Sequence, residues 1–279
     1  MRVVNLRESA VLFPCDGEEL LGVIASPQTE PCEVGVLIIV GGPQYRVGSH
    51  RHFVLLARHL AGLGVPCMRF DYRGMGDATG VQRDFELVDA DIRAAIDTFL
   101  VRVPAVKRVV LWGLCDGASA ACFYAPTDAR VAGLMLLNPW VKTAQGEAST
   151  YLRHYYLKRL FDPSFWKKLI SGGVSVVRSA GELFGTARTV VGASTPNSQA
   201  LPDRMAAALC RAGKPVRVIL SGRDYVAREF ELIALDGAWK SLLAASPPLR
   251  IDEADHTFSS HEWRDQVACA TFAWVRELV

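Results

Sequence analysis

Residues 108–121 read Arg-Val-Val-Leu-Trp-Gly-Leu-Cys-Asp-Gly-Ala-Ser-Ala-Ala. The apolar, β-branched beginning of this stretch predicts a short buried strand, and the small residues at its end favour the start of a helix. Gly113 and Gly117 lie on either side of Cys115. Glycine is expected at both positions because a side chain there would clash where the strand packs on the helix. We therefore predict a strand–turn–helix elbow that holds Cys115 in a strained, positive-φ conformation above the sheet.

A cysteine at the tip of this elbow has two interpretations. Cysteine is among the residue types most often buried, so an inert core thiol is the ordinary one. At a helix N-terminus, however, the helix dipole favours the thiolate, which is the reactive form of the side chain. The elbow favours a nucleophilic Cys115, provided that an acid and a base follow it in the chain.

Both partners follow, each after a predicted strand. Residues 216–222 form an apolar run that leads to Asp224, and residues 249–251 form another that leads to His256. His256 is expected to hold and deliver the thiol proton, and Asp224 to fix the imidazole tautomer. Taken singly, Asp224 and His256 could each be an ordinary loop residue. Together with Cys115 they complete the chain order of a catalytic triad: nucleophile, acid, histidine. Asp255 is adjacent to His256 and therefore poorly placed to reach its ring.

Strands and helices alternate through most of the chain. Besides the three strands above, apolar runs predict strands at residues 9–13, 19–25, 34–40, 66–71 and 131–137, and helical spacing predicts helices at 53–63, 85–100 and 261–278. A turn at residues 15–17 joins the first two strands. The alternation indicates an α/β fold in which a mostly parallel, eight-stranded sheet is flanked by helices on both faces.

Residues 141–200 interrupt this alternation. They contain no clear strand and are rich in basic and aromatic residues, the latter including Tyr151, Tyr155, Tyr156, Phe161, Phe165 and Trp166. We predict a helical lid inserted into a core formed by residues 1–140 and 201–279. Tyr155 and Trp166 are predicted to wall a substrate pocket; the other interpretation is that such aromatic residues only fasten the lid to the core.

The loop after the third strand is expected to face the elbow. It reads Gly-Gly-Pro-Gln-Tyr-Arg over residues 41–46. Its backbone N–H groups and that of Asp116 are expected to stabilise an oxyanion. Because proline has no N–H, the second donor is Gly42 or Gln44, and we favour Gln44; a simple Gly-Pro turn is the other interpretation. Tyr45 is predicted to contact substrate.

A second loop follows the fourth strand and reads Asp-Tyr-Arg-Gly-Met-Gly-Asp over residues 71–77. Its residue types do not by themselves indicate a catalytic or binding role, since an Asp/Arg pair commonly braces neighbouring loops. We interpret it as a structural turn.

Composition limits the range of functions. The chain has 279 residues, of which 50% are hydrophobic, and a net charge of +2, so neither nucleic acid nor an acidic membrane is an expected partner. Its seven cysteines show no CxxC or Cys/His spacing, so we expect reduced thiols, no metal site and no cofactor. No apolar run suits a signal peptide or a membrane span. We expect a cytoplasmic protein without stable membrane insertion, and homodimer formation is left open.

These motifs resemble those of a known superfamily. Residues 113–117, 71–76 and 255–258 are similar to the α/β-hydrolases, and the likeness extends over nearly the whole chain. More narrowly, residues 41–51, the elbow, residues 138–140 and the aromatic lid resemble the exosortase A system-associated hydrolase 1 family, whose members occur in gene neighbourhoods for protein sorting and exopolysaccharide production. The resemblance implies a cysteine-dependent acyl hydrolase or acyltransferase, without fixing its substrate.

Two classes of function remain. In the first, Cys115 attacks a thioester or ester of a small-molecule or carrier-bound acyl substrate, and water or an acceptor resolves the acyl-cysteine. A dienelactone-type lactone hydrolase is the alternative within this class. In the second, the chain is a binding or accessory module that kept the fold and lost turnover. The complete Cys, Asp, His order favours the enzyme.

Overall fold

The computed structural model describes residues 6–42, 44–141 and 200–279. Its strands are β1 Leu6–Cys15, β2 Glu18–Pro27, β3 Val34–Ile39, β4 Cys67–Phe70, β5 Arg108–Leu114, β6 Val131–Leu137, β7 Val216–Ser221 and β8 Leu249–Ile251. They form one eight-stranded sheet in the order β1-β2-β4-β3-β5-β6-β7-β8. Strand β2 pairs antiparallel with β1 and with β4, and every other pair is parallel. The predicted mostly parallel sheet is confirmed.

Helices connect the parallel strands. They are α1 His52–Gly62, α2 Asp89–Arg102, α3 Asp116–Tyr124, α4 Leu201–Ala212, α5 Tyr225–Ala234, α6 Gly237–Leu243 and α7 His261–Glu277. The helix predicted at residues 85–100 is wrong at its start. A separate 3₁₀ turn covers Phe85–Leu87, capped by the Asp84 side chain, which accepts a hydrogen bond from the Glu86 N–H at 2.9 Å. Val88 then leaves helical geometry before α2 begins.

The core lies on the central strands. Every residue of β3 and β6 is buried, as expected of parallel strands covered on both faces. Phe53 of α1, Trp112 of β5 and Phe258 belong to one buried apolar cluster. This packing makes the centre of the sheet a rigid base for the loops that follow its strands.

Strand order determines which loops meet. Parallel strands end at the same edge of a sheet, and β5, β6, β7 and β8 are consecutive neighbours. Cys115 follows β5, Asn138 follows β6, Asp224 comes shortly after β7 and His256 shortly after β8. Residues far apart in the chain are therefore brought to one edge, which is where open α/β sheets place their ligands.

Most of the predicted lid, residues 141–200, lies outside the described residues, as do Tyr155 and Trp166. The helical lid and its pocket aromatics therefore stay predictions. In the ranges that are described, no helix combines the length and apolarity needed to cross a membrane.

Candidate active site

The elbow has the predicted geometry. Cys115 lies between β5 and α3 with φ 60° and ψ −126°, a conformation that residues other than glycine rarely adopt. A Cβ on Gly113 would lie 2.5 Å from the Gly117 carbonyl carbon, and one on Gly117 would lie 2.5 Å from the Ile39 carbonyl oxygen. Neither position has room for a side chain. The strained backbone, which costs about 1–3 kcal/mol, is held by this close packing.

Backbone hydrogen bonds tie the elbow to the end of β6. The Cys115 N–H donates to the Leu137 carbonyl at 2.9 Å, and the Cys115 carbonyl accepts from the Trp140 N–H at 3.2 Å. The side chain of Cys115 is half-buried at the N-terminus of α3. The elbow therefore presents its thiol from a fixed backbone.

Asp224 holds the imidazole of His256. The Nδ1–H of His256 donates to Asp224 Oδ2 at 2.7 Å. The same carboxylate caps α5, because it accepts from the N–H groups of Val226 and Ala227, both at 3.2 Å. Asp224 is thus both a helix cap and a histidine partner, and the N-terminus of α5 stabilises its negative charge.

His256 also contacts Cys115. The Cys115 side chain lies close enough to the imidazole to interact with it, and since Nδ1 faces Asp224, Nε2 is the nitrogen left for the sulfur. Burial alone would lower the pKa of His256, but the hydrogen bonds and charges of Asp224 and Cys115 outweigh burial and raise the pKa to about 10. Asp224 and Cys115 therefore stabilise the protonated form of the ring.

Asp255 does not reach the ring of His256, as its position in the chain predicts. Its Oδ1 accepts from the N–H groups of Ser259 at 3.0 Å and Thr257 at 3.1 Å, and its Oδ2 accepts from the Ser259 hydroxyl. Burial acts to raise the pKa of Asp255, but these hydrogen bonds lower it overall. The carboxylate therefore shapes the turn that carries His256.

The loop after β3 is fastened by a buried carboxylate. Asp71 Oδ1 accepts from the Arg46 N–H at 2.6 Å, and Oδ2 binds the Arg46 guanidinium, which also contacts Asp77 at 2.6 Å. Arg69 donates to the Arg46 carbonyl at 3.3 Å. Bracing by an Asp/Arg pair is confirmed, but the pair crosses between the two predicted loops, because Asp71 bonds Arg46.

Arg73, the arginine of the second loop, has other partners. It forms a buried ion pair with Asp91 of α2 at 2.8 Å and a second one with Asp16 of the β1–β2 turn at 2.6 Å. These contacts raise the pKa of the guanidinium well above its usual range. Arg73 therefore braces the first hairpin against α2.

The two candidate amides of the oxyanion loop differ in their surroundings. The N–H groups of Gly42 and Gly117 face the carboxyl of Asp116, whose pKa is nevertheless raised by burial. The side-chain Oε1 of Gln44 accepts from the Ser49 N–H at 3.3 Å. Tyr45 is exposed. The choice between Gln44 and Gly42 as the loop donor stays a prediction.

Sequence reasoning missed Asn138 as a functional candidate. It has φ 42°, is completely buried, and its side chain bonds both Ser221 and the backbone of His256. The available signal was an asparagine directly after a buried strand, since asparagine tolerates the left-handed region better than most residues. Across the described ranges, no group of three His, Cys, Asp or Glu side chains is placed to hold a metal ion.

A family model matches residues 34–180, which is more than half of the chain, and its description is Hydrolase_4, serine aminopeptidase S33. The chain belongs to this hydrolase family. The description refers to a serine enzyme, whereas this hydrolase carries Cys115 at the elbow. No curated protein matches the sequence.

Solved structures agree with the fold. An esterase of Pyrococcus furiosus is similar with a TM-score of 0.69 at 13% identity, covering 98% of this chain and 92% of its own. Est1E of Butyrivibrio proteoclasticus, with ferulic acid bound, has a TM-score of 0.63 at 16% identity, covering 96% and 99%. A hydrolase of Agrobacterium vitis, described as putative in its own structure, has a TM-score of 0.58 at 18% identity, covering 97% and 99%. At these identities the likeness establishes the α/β-hydrolase fold.

Proposed function

We propose that this hydrolase is a cysteine acyl hydrolase or acyltransferase that acts on a thioester or ester through an acyl-cysteine at Cys115. The observation that carries the proposal is the continuous contact from Cys115 to His256 to Asp224 at an elbow tip. An inert core thiol has no need of an imidazole whose other nitrogen is held by a carboxylate. The same feature argues against a non-catalytic module.

The contrast with the other thiols supports this choice of nucleophile. Burial raises the pKa of Cys67 and of Cys122 far above the usual range of a thiol, and both are completely buried. Cys115 is half-buried and lies beside the His256 ring, whose protonated form Asp224 stabilises. Of these three thiols, only Cys115 combines access with a neighbouring imidazole.

The first half of the reaction forms the acyl-enzyme. The Cys115 thiolate attacks the acyl carbonyl carbon, and the electron pair of the carbonyl bond moves to its oxygen. The N–H groups of Asp116 and Gln44 are proposed to stabilise that oxyanion. When the tetrahedral intermediate collapses, the bond to the leaving group breaks, and the His256 imidazolium donates its proton to the departing sulfur or oxygen.

The second half releases the acyl group. Neutral His256 accepts a proton from water or from an acceptor hydroxyl or thiol, whose heteroatom attacks the acyl-cysteine. The carbon–sulfur bond breaks, and the Cys115 thiolate and the imidazolium are restored. Asp224 stabilises the imidazolium at both stages because it accepts the Nδ1–H.

Sulfur chemistry favours a thioester. Attack of a thiolate on a thioester exchanges one thiolate for another, so the intermediate has similar leaving groups on both sides. An amide would require expulsion of a much more basic amine. We therefore propose a carrier-bound or small-molecule acyl thioester or ester, with Tyr45, Tyr155 and Trp166 contacting the acyl part, in a cytoplasmic protein of the exosortase A system-associated type.

A labelling experiment tests the proposal. The protein is incubated with a panel of acyl thioesters of different chain lengths, and the adduct is measured by intact mass and located by peptide mapping. We expect one acyl mass on Cys115, absent in Cys115→Ala and present in Cys122→Ala. An adduct on Cys67 or Cys122 would contradict the proposal, and so would a Cys115→Ala variant with undiminished turnover. Lactones in the same panel test the dienelactone-type alternative.

The lid prediction has its own test. Tyr155→Ala and Trp166→Ala are expected to change the preferred acyl-chain length, because one lost pocket contact shifts discrimination by about 1–3 kcal/mol. The measurement is kcat/KM across the thioester panel together with thermal unfolding. Variants that unfold yet keep the wild-type chain preference in the folded fraction would make these aromatics packing residues.

A further inference from the structure

Strand β6 contributes no member of the proposed triad, yet it lies between β5, which leads to Cys115, and β7, which leads to Asp224. Asn138 directly follows β6 and is completely buried. Its φ of 42° places it in the left-handed region. A strained, buried amide between the strands that lead to the nucleophile and the acid requires a physical account.

The side chain of Asn138 satisfies three backbone and side-chain groups of the neighbouring loops. Its Nδ2 donates to the Ser221 hydroxyl at 2.8 Å and to the His256 carbonyl at 3.1 Å. Its Oδ1 accepts from the Ser221 N–H at 2.9 Å. The Ser221 hydroxyl in turn donates to the Asp255 carbonyl at 2.8 Å. One amide therefore connects the end of β7 to the turn that carries His256.

The backbone around Asn138 makes the connection to the elbow. Leu137 accepts from the Cys115 N–H, and the Trp140 N–H donates to the Cys115 carbonyl. The Trp140 carbonyl also accepts from the Ser119 hydroxyl of α3 at 2.6 Å. Residues 137–140 thus contact the elbow through their main chain and the His256 turn through one side chain.

We propose that Asn138 is a positioning residue that sets the distance between the Cys115 thiol and the His256 imidazole by fixing the backbone of His256 relative to the elbow. The inference rests on the proposed function, because it assigns Asn138 a role through His256 rather than a contact with substrate. The acid is held by the same device, since Asp224 follows Ser221 by three residues and its N–H donates to the Ser221 carbonyl at 3.4 Å.

The chemistry of the amide explains why asparagine stands there. The site presents two acceptors, the Ser221 hydroxyl and the His256 carbonyl, and one donor, the Ser221 N–H. A primary amide carries two N–H donors on one atom and an acceptor on the other, which matches this set. An ionised aspartate has the same shape but cannot donate to the His256 carbonyl.

The test compares two variants of Asn138 with Ser221→Ala. Asn138→Gly accommodates the positive φ and removes all three side-chain bonds, whereas Asn138→Asp keeps the shape and the acceptor. Ser221→Ala removes the hydroxyl relay to Asp255 and keeps the bond from Asn138 to the His256 carbonyl. The readouts are thermal unfolding, the pH profile of Cys115 alkylation by iodoacetamide, and kcat and KM for a thioester substrate of the wild type.

In wild type, iodoacetamide is expected to alkylate the half-buried Cys115 in preference to the fully buried Cys67 and Cys122. In folded Asn138→Gly we expect the pH profile to differ from that of the wild type and the alkylation rate at pH 6 to fall by about 10- to 100-fold, since displacements of 1 Å have effects of this size. Both Asn138 variants should lose kcat with little change in KM. Ser221→Ala should change the profile and kcat in the same direction but by less than Asn138→Gly, because the bond from Asn138 to the His256 carbonyl remains.

The proposal is overturned if Asn138→Gly and Asn138→Asp are less stable but keep the wild-type profile and kcat in the folded protein. Should one of them fail to fold, the other decides the question by the same readouts. Failure of the proposed function gives a different result, since the wild type itself would then form no acyl adduct on Cys115.

Discussion

Two histidines of this protein lie in opposite electrostatic environments. His256 has a carboxylate on one ring nitrogen and a thiol at the other, and its pKa is raised to about 10. His52, at the start of α1, has no hydrogen-bond partner for either ring nitrogen among the described residues, and its pKa is lowered to about 3. His52 is fully buried and has no partner within the described ranges, whereas His256 is half-buried and has two, so burial and partners together account for the opposite pKa shifts.

The surroundings of His52 explain its neutrality. Its ring packs edge-on against Trp112, with centroids 5.6 Å apart, and against Phe258, with centroids 6.0 Å apart. Burial is the main cause of its lowered pKa, and the positive charges of Arg264 and His50 act in the same direction. Because Phe258 follows His256 by two residues, the neutral histidine packs beneath the turn that carries the charged one.

The largest expected effect concerns the charged ring. His256→Ala should slow acylation of Cys115 by about 10²–10⁴-fold, the usual contribution of a positioned acid–base group. The rate is measured by quenching the reaction with excess acyl thioester at set times and determining the intact mass of the protein. The matched control is Cys122→Ala, which should acylate at the wild-type rate. A His256→Ala protein that acylates normally would remove the distinction between the two histidines.

The second expected effect is on stability at alkaline pH. Since the folded pKa of His256 lies above the unfolded value of about 6.5, its contribution is fully present below pH 6.5 and is lost as pH rises through about 10. The difference in unfolding free energy between wild type and His256→Gln should therefore shrink over that window. Urea unfolding between pH 6 and pH 10.5 measures it. A difference that is constant with pH would contradict a charged His256.

The third effect has the opposite sign. The folded pKa of His52 lies below the unfolded value, so its unfolded form binds a proton that the folded form rejects, and stability is lost as pH falls from about 6.5 towards 3. His52→Leu should remove about 3 kcal/mol of this loss between pH 6.5 and pH 4. The variant's stability is compared with wild type at both pH values, so that any packing change common to both cancels. Equal acid sensitivity would mean that His52 finds a partner when protonated.

The smallest expected effect concerns a third histidine, which is exposed to solvent. His261 is exposed at the start of α7 and pairs with Asp265 at 3.0 Å. Its replacement by alanine should change the unfolding free energy by less than about 0.5 kcal/mol and leave acylation unchanged. A larger change would show that a histidine needs neither burial nor a buried partner to matter here.

Sequence periodicity predicted the parts of the molecule that depend on local order. Apolar runs placed all eight strands, and the glycines around Cys115 placed the elbow, because strain and close packing at that point exclude other residues. The order of Cys115, Asp224 and His256 along the chain predicted their convergence, since strands that end at one edge bring together whatever follows them.

The features that the sequence did not predict depend on contacts between segments far apart in the chain. Nothing near Asn138 in the chain reveals that its amide meets Ser221 and the His256 carbonyl, because that meeting follows from the strand order. The pairing of Asp71 with Arg46 is similarly a matter of side-chain reach across two loops. The break before α2 depends on a cap by Asp84, which a count of apolar spacing does not register.

The close approach of the elbow to the loop after β3 has a consequence for protein engineering. Side chains are excluded from Gly117 by the Ile39 carbonyl and from Gly41 by the Asp116 carboxyl and the Gly117 N–H. The elbow and residues 39–42 therefore pack backbone against backbone. Transfer of the cysteine elbow to another scaffold would require transfer of residues 39–42 with it. In a mutational library, positions 41, 113 and 117 should be held as glycine while the surrounding loops are varied.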